Sequence, residues 1–95
     1  LTLPPIHPGE ILGEELAEIG VSATALARAI DVPPSRVAEI IRGSRSITAD
    51  TAMRLGRYFG THPRFWLNLQ TAYDLAVAEQ RDGARVAAAV RPFAA

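Results

Sequence analysis

The sequence predicts an all-α fold of five helices, on three observations. Apolar residues recur at three- and four-residue spacing through most of the chain. Each such run is bounded by residues suited to helix ends: Ser, Thr, His or Pro before it, and Gly or a Pro-rich turn after it. Sustained alternation of period two is lacking, apart from a weak case at residues 84–93. The connections are short, so helix packs on helix around one core. Residues 1–95 are read as one domain: an arm at 1–7, a central helix pair at 23–42 and a tail at 81–95.

The elements follow in order. "LTLPPIH" carries two prolines and reads as an extended arm, His7 included. Pro8-Gly9-Glu10 opens the first helix, with Ile11, Leu12, Leu16 and Ile19 at helical spacing and Gly20 at its end. Its early acids suit the positive helix start. Ser22 is an N-cap for the second helix, "ATALARAI", in which Leu26, Ala27 and Ile30 form the apolar side. Pro33-Pro34 then precedes a third, short helix. Proline is excluded from helix interiors but tolerated in the first turn, where its missing N–H would be unpaired anyway. Val37, Ile40 and Ile41 are its stripe, and Gly43 marks the exit. Thr48 caps a fourth helix, "ADTAMRLGRYFG", closed by Gly60. His62 or Thr61 caps a fifth, with Pro63 at its first position. Phe65, Trp66, Leu69, Tyr73, Ala76 and Val77 line one broad side of it. The first three are expected to complete the core. Asp82-Gly83 interrupts the pattern, and "ARVAAAVRPF" fits either a sixth short helix or an extended tail.

Composition excludes several classes. Without cysteine there are no disulfides and no thiolate metal sites. No apolar run approaches the roughly 20 residues of a membrane span, and no basic-then-apolar leader is visible, so a soluble cytoplasmic domain is expected. His7 and His62 are far apart in sequence, and the glutamates of the first helix have nothing to bury or clamp them. The glycines make no phosphate loop. No enzyme activity, metal or cofactor is expected.

Net charge is zero, but its distribution is not even. Residues 1–27 hold Glu10, Glu14, Glu15 and Glu18 and no basic residue. Residues 28–64 hold seven arginines, at 28, 36, 42, 45, 54, 57 and 64, against Asp31, Glu39 and Asp50. Such a split predicts one anionic and one cationic face. Every basic residue is Arg, which suits phosphates and base edges. A GC-rich coding bias explains the same preference.

The second and third helices carry a more specific pattern. Counted from Ala23, Leu26 is fourth, Ala27 fifth, Ile30 eighth, Asp31 ninth, Val32 tenth, Val37 fifteenth and Ile40 eighteenth. A helix-turn-helix requires this distribution. The small fifth residue lets the helices approach, the ninth turns the chain with positive φ, and the others fill the wedge. Asp31 stands where Gly is usual, and Asp tolerates the left-handed region better than most residues. The third helix then has one task, to lie in a DNA major groove, which is about 12 Å wide and admits one helix. Ser35, Arg36, Glu39 and Arg42 occupy its outward side. Arg36 and Arg42 suit guanine O6 and N7, Glu39 suits cytosine N4, and Ser35 suits either base or phosphate. The alternative is a solvated face with a Glu39 ion pair to Arg36 or Arg42. Ser22 and Thr24, Arg45, Ser46 and Thr48 flank it at helix starts and in the loop. These are the candidates for phosphate.

"HPGEIL", the helix-turn-helix, "RGSRSITADTAMRLGRYFG" and "PRFWLNLQTAYDLAVAE" together resemble the HigA/VapI group of antitoxins, within the Xre-type, lambda-repressor-like helix-turn-helix family. The likeness covers roughly residues 6 to 80. It implies a homodimer that binds a palindromic operator in double-stranded DNA and represses its own operon. It also implies a HigB-type partner toxin, an mRNA-cleaving ribonuclease that the antitoxin silences. By the same resemblance Ser35, Arg36, Glu39 and Arg42 fall where the family reads bases, and Arg45 and Thr48 where it holds phosphate. The Pro-Pro pair departs from the family's polar start of the recognition helix. A dimer is favoured independently, because one small helix-turn-helix reads few base pairs. Tyr73, Val77, Val86 and Val90 are the candidate interface. A free-standing repressor without a toxin, and an interaction module that has lost DNA binding, are the competing readings.

Overall fold

The computed structural model describes residues 4–94. Five helices follow in the expected order: α1 (Pro8–Ile19), α2 (Ala23–Ala29), α3 (Pro34–Ile41), α4 (Ala49–Phe59) and α5 (Pro63–Ala89). No strand occurs among the described residues. The expected caps are present. Ser22 Oγ accepts from the Ala25 amide at 3.1 Å, Thr48 Oγ1 from Thr51 at 3.4 Å, and His62 Nδ1 from Arg64 at 3.0 Å. Gly20 and Gly60 close α1 and α4 in the left-handed region.

One core joins the helices: Leu12, Leu16, Leu26, Ala27, Ile30, Val37, Ile40, Ile47, Ala52, Leu55 and Trp66. Each helix contributes the apolar side that its spacing assigned to it. Phe65 is an exception, being about half exposed where a core position was expected. It stands one residue before the fully buried Trp66, and successive helical residues point about 100° apart. Its ring meets Trp66 edge-on at a centroid distance of 5.1 Å, from the solvent side. Met53 and Ile19 are likewise exposed on the outer sides of their helices.

Two further sequence expectations are corrected. The tail expected at 81–95 is helical as far as Ala89, and only residues 90–94 lie beyond the helix. A glycine inside a helix costs only about 1 kcal/mol against Ala. Here the flanking segment is rich in alanine, the best helix former, and Asp82 pairs with Arg85 (2.9 Å) and Arg81 (3.0 Å) on its exposed side. His7, assigned to the arm, is instead the buried N-cap of α1. Its Nδ1 accepts from the Gly9 amide at 2.9 Å, while Glu10 Oε2 accepts from the His7 amide at 3.3 Å. This reciprocal pair is a capping box with histidine in the usual Ser or Thr place. Non-helical backbone continues back to Pro4, and the first three residues of the expected arm lie outside the described residues. No helix among the described residues is long and apolar enough to cross a membrane.

The His7 imidazole also ties three elements together. It meets Tyr73 of α5 edge-on at 4.8 Å and lies against Gly43 at the exit of α3. Beside it, Gly9 permits α1 to touch the end of α3. A side chain there would collide with the carbonyl oxygen of Ile40. Gly9→Ala is therefore expected to destabilise the fold by about 1–3 kcal/mol, the usual cost of overpacking, read as a lower denaturation midpoint.

Burial lowers the His7 pKa from its ordinary 6.5, against the attraction of Asp74 and Glu10. The unfolded chain thus takes up this proton at a higher pH than the folded one. The stabilisation is complete above the ordinary value and is lost as pH falls through the folded value. Denaturation midpoints measured from about pH 8 down to about pH 5, across the ordinary histidine range, are expected to fall more steeply for the native chain than for His7→Asn. That variant keeps a capping side chain that does not titrate.

Candidate nucleic-acid interface

The interface begins with the wedge between α2 and α3. Leu26, Ala27, Ile30, Val37 and Ile40 are all buried, the last two on α3 itself. Asp31 turns the chain with φ of 60°, the one non-glycine residue at positive φ among those described. The Arg54 side chain from α4 fixes this turn. Its Nη1 donates to the carbonyls of Ile30 (2.8 Å) and Asp31 (3.2 Å), and its Nε donates to Asp50 at 2.9 Å. Arg54 thereby satisfies carbonyls left open at the end of α2, and is spent as a structural cation rather than a phosphate ligand.

With Val37 and Ile40 facing inward, the opposite side of α3 faces out. Ser35 and Arg42 are exposed, and Arg36 and Glu39 are half-buried. The ion pair expected for Glu39 is present with a different partner. Its Oε1 accepts from Arg45 Nε at 2.7 Å, across the turn that follows α3. Neither Arg36 nor Arg42 forms an ion pair among the described residues. Both guanidinium groups are therefore available to an external acceptor, while Arg45 is held by its carboxylate.

The phosphate candidates divide into two flanks. Arg36, Arg45, Ser46 and Thr48 line one depression between α3 and the start of α4, with Asp50 and Thr51 at its edge. Thr24 lies on the other flank, in a hollow shared with Arg28, Asp31 and Pro34. Ser22 is exposed at the start of α2. Its oxygen already accepts a cap bond, which leaves its hydroxyl hydrogen free to donate. Pro33 and Pro34 lack backbone donors, so the start of α3 offers fewer amides than the starts of α2 and α4.

Gln70 is a component the sequence reading missed. It lies on α5 and is only 5% exposed. Its Oε1 accepts from the Ile47 amide at 2.8 Å, and its Nε2 donates to Asp74 (2.9 Å) and Ser46 Oγ (3.4 Å). A side chain 23 residues away in sequence thus holds the loop that presents Arg45, Ser46 and Thr48. The one available signal was a polar residue on the apolar side of α5.

A helix-turn-helix family model matches residues 12–66, more than half of the chain. Virulence-associated protein I of Dichelobacter nodosus is 63% identical over 79 residues, spanning 82% of this chain and 73% of that protein. The chain belongs to the HigA/VapI group of Xre-type helix-turn-helix antitoxins. An addiction module antidote protein of the HigA family from Coxiella burnetii superposes with a TM-score of 0.94 at 51% identity, covering 96% of this chain and all of that one. Antitoxin HigA of Pseudomonas aeruginosa, solved with the higBA promoter, superposes at 0.91 with 48% identity over 95% of this chain and 99% of that one. The superposition extends over nearly the whole of each chain, α5 included.

Of the four expected interface residues, Tyr73 of α5 packs on His7 of its own chain and Val77 is half-buried, whereas Val86 near the end of α5 and Val90 just past it are exposed. Gln70→Ala leaves the buried Ile47 amide without an acceptor, at a cost of about 1–3 kcal/mol. It is expected to lower thermal stability and also to weaken DNA binding beyond what Asp74→Ala does, measured by fluorescence anisotropy on one duplex.

Proposed function

We propose that this chain is an operator-binding antitoxin. It acts as a homodimer on a palindrome in its own promoter, represses that operon and neutralises a HigB-type ribonuclease. The observation that carries the reading is the outward side of α3. Two arginines there are free of ion pairs among the described residues, on a helix whose other side is buried, with hydroxyl-bearing helix starts on either hand. That arrangement suits base readout by Arg36 and Arg42, with Ser35 beside them and phosphate anchoring by Ser22, Thr24, Arg45, Ser46 and Thr48. In this reading Glu39 orients Arg45 in the free protein and turns to cytosine only if that pair opens. Operator complexes among the relatives support the assignment.

The dimer supplies the second half-site. Two recognition helices must stand about 34 Å apart to meet successive major grooves on one side of the duplex. The outer part of α5 and the segment after it, with Val86, Val90 and Phe93 exposed, is the surface for that pairing, extended inward by Val77 and the outer edge of Tyr73. Operator binding requires the compartment that holds the DNA, which for such a protein is the cytoplasm.

Gel shifts on the native upstream region over a salt series test the proposal. Affinity is expected to fall steeply with salt, as phosphate contacts release counterions. Absence of binding at low salt removes it. Arg36→Ala is expected to relax selectivity at one base pair per half-site, at about 1–3 kcal/mol. Loss that is uniform over all sequences makes Arg36 a phosphate contact instead.

A further inference from the structure

The chain carries a second unpartnered surface, at the end of α4 away from Thr48. Ile11 and Glu15 of α1, Phe59 and Thr61 at the α4 exit, and Phe65 and Trp66 of α5 enclose a cavity of about 120 Å³. Its aromatic wall is continuous: Phe59 meets Trp66 at 5.7 Å and Trp66 meets Phe65 at 5.1 Å, and Tyr58, outside the cavity, meets Phe59 at 4.9 Å. Phe65 and Tyr58 remain 46% and 39% exposed, an unusual use of aromatic surface on a small domain. The indole that forms part of this wall also carries a buried N–H with no acceptor among the described residues. Buried donors are nearly always satisfied.

The surroundings define what fits there. Glu15 is the one charged residue lining the cavity. Glu14 and Glu18 stand beside it on α1, exposed, and none of the three forms an ion pair among the described residues. No basic residue occurs before Arg28. The α1 side of this surface repels DNA and attracts a cationic protein, while Arg57 and Arg64 stand exposed beside its Tyr58 and Phe65 edge. The cavity is close in size to the roughly 150 Å³ void known to take a benzene ring, so it suits one aliphatic or aromatic side chain. It lies about 16 Å along α4 from the Thr48 end, by the helical rise, and leaves the outward side of α3 uncovered.

We infer that this acidic, aromatic-lined surface is the docking site for a cationic protein that inserts one apolar side chain between Phe59, Phe65 and Trp66. In an antitoxin that partner is the basic ribonuclease of the same operon, an identification that rests on the function proposed above. Occupation of this surface leaves the DNA-reading side of the same subunit free.

Trp66 is the single tryptophan and forms part of the cavity wall, so its emission reports on the site. The probe is the purified ribonuclease expressed from the same operon in a catalytically inactivated form, titrated into the full chain. Binding is expected to shift Trp66 emission and to weaken as salt rises. Phe65→Ala and Glu15→Arg are each expected to weaken it tenfold or more, with operator affinity changed less than twofold as evidence of an intact fold. A native complex indifferent to both substitutions overturns the docking site and leaves the antitoxin reading standing. A native chain that forms no complex with that ribonuclease removes both.

Discussion

The structure depends on the wedge in which α3 is pressed against α2. Eight residues are too few to hold a helix in water by themselves, and α3 has no side-chain cap at its start. Its existence and its orientation come from burying Val37 and Ile40 against Leu26, Ala27 and Ile30. Full burial of an aliphatic side chain is worth roughly 1.5–3 kcal/mol, so two of them outweigh the propensity of so short a segment. Once that side is buried, Ser35, Arg36 and Arg42 are turned outward.

Polar clamps then convert the wedge into an interface of fixed shape. Arg54 holds the turn before α3, and Gln70 holds the loop between α3 and α4. Glu39 and Arg45 close the exit of α3 over their own 2.7 Å pair. That pair is partly exposed, so it is worth little in stability; what it does is choose which arginines stay free. Arg36 and Arg42 are uncommitted because Glu39 is occupied elsewhere. Net charge says nothing of this, since the sum over the chain is zero. The arrangement of the charges matters: an acidic α1 beside the aromatic cavity, and arginines around α3.

α5 serves both halves of the molecule. Its first turns supply Trp66 to the core, Gln70 to the loop and Tyr73 to the His7 cap. Its later turns are largely exposed, Val86 among them, and Val90 stands exposed just past its end. A helix of 27 residues reaches about 40 Å, well past the core that its first half completes.

The sequence by itself determined the five helices, most of their ends, the core sides and the positive φ at Asp31. These follow from local rules: cap chemistry acts within three or four residues, and apolar spacing marks the side that must be buried. It also determined the outward side of α3, because Val37 and Ile40 left only one side for Arg36 and Arg42. Only the tertiary structure decided the rest. Asp82-Gly83 reads as a break, yet α5 runs through it to Ala89. His7 reads as arm until Tyr73 and Gly43 are seen to enclose it. Glu39 has three arginines within reach along the chain, and distance in space selected Arg45. Gln70 gives no local sign of the amide it serves 23 residues away. A hydrogen bond or ion pair between distant segments depends on where packing brings them, and packing is a property of the whole chain, which no window of sequence contains.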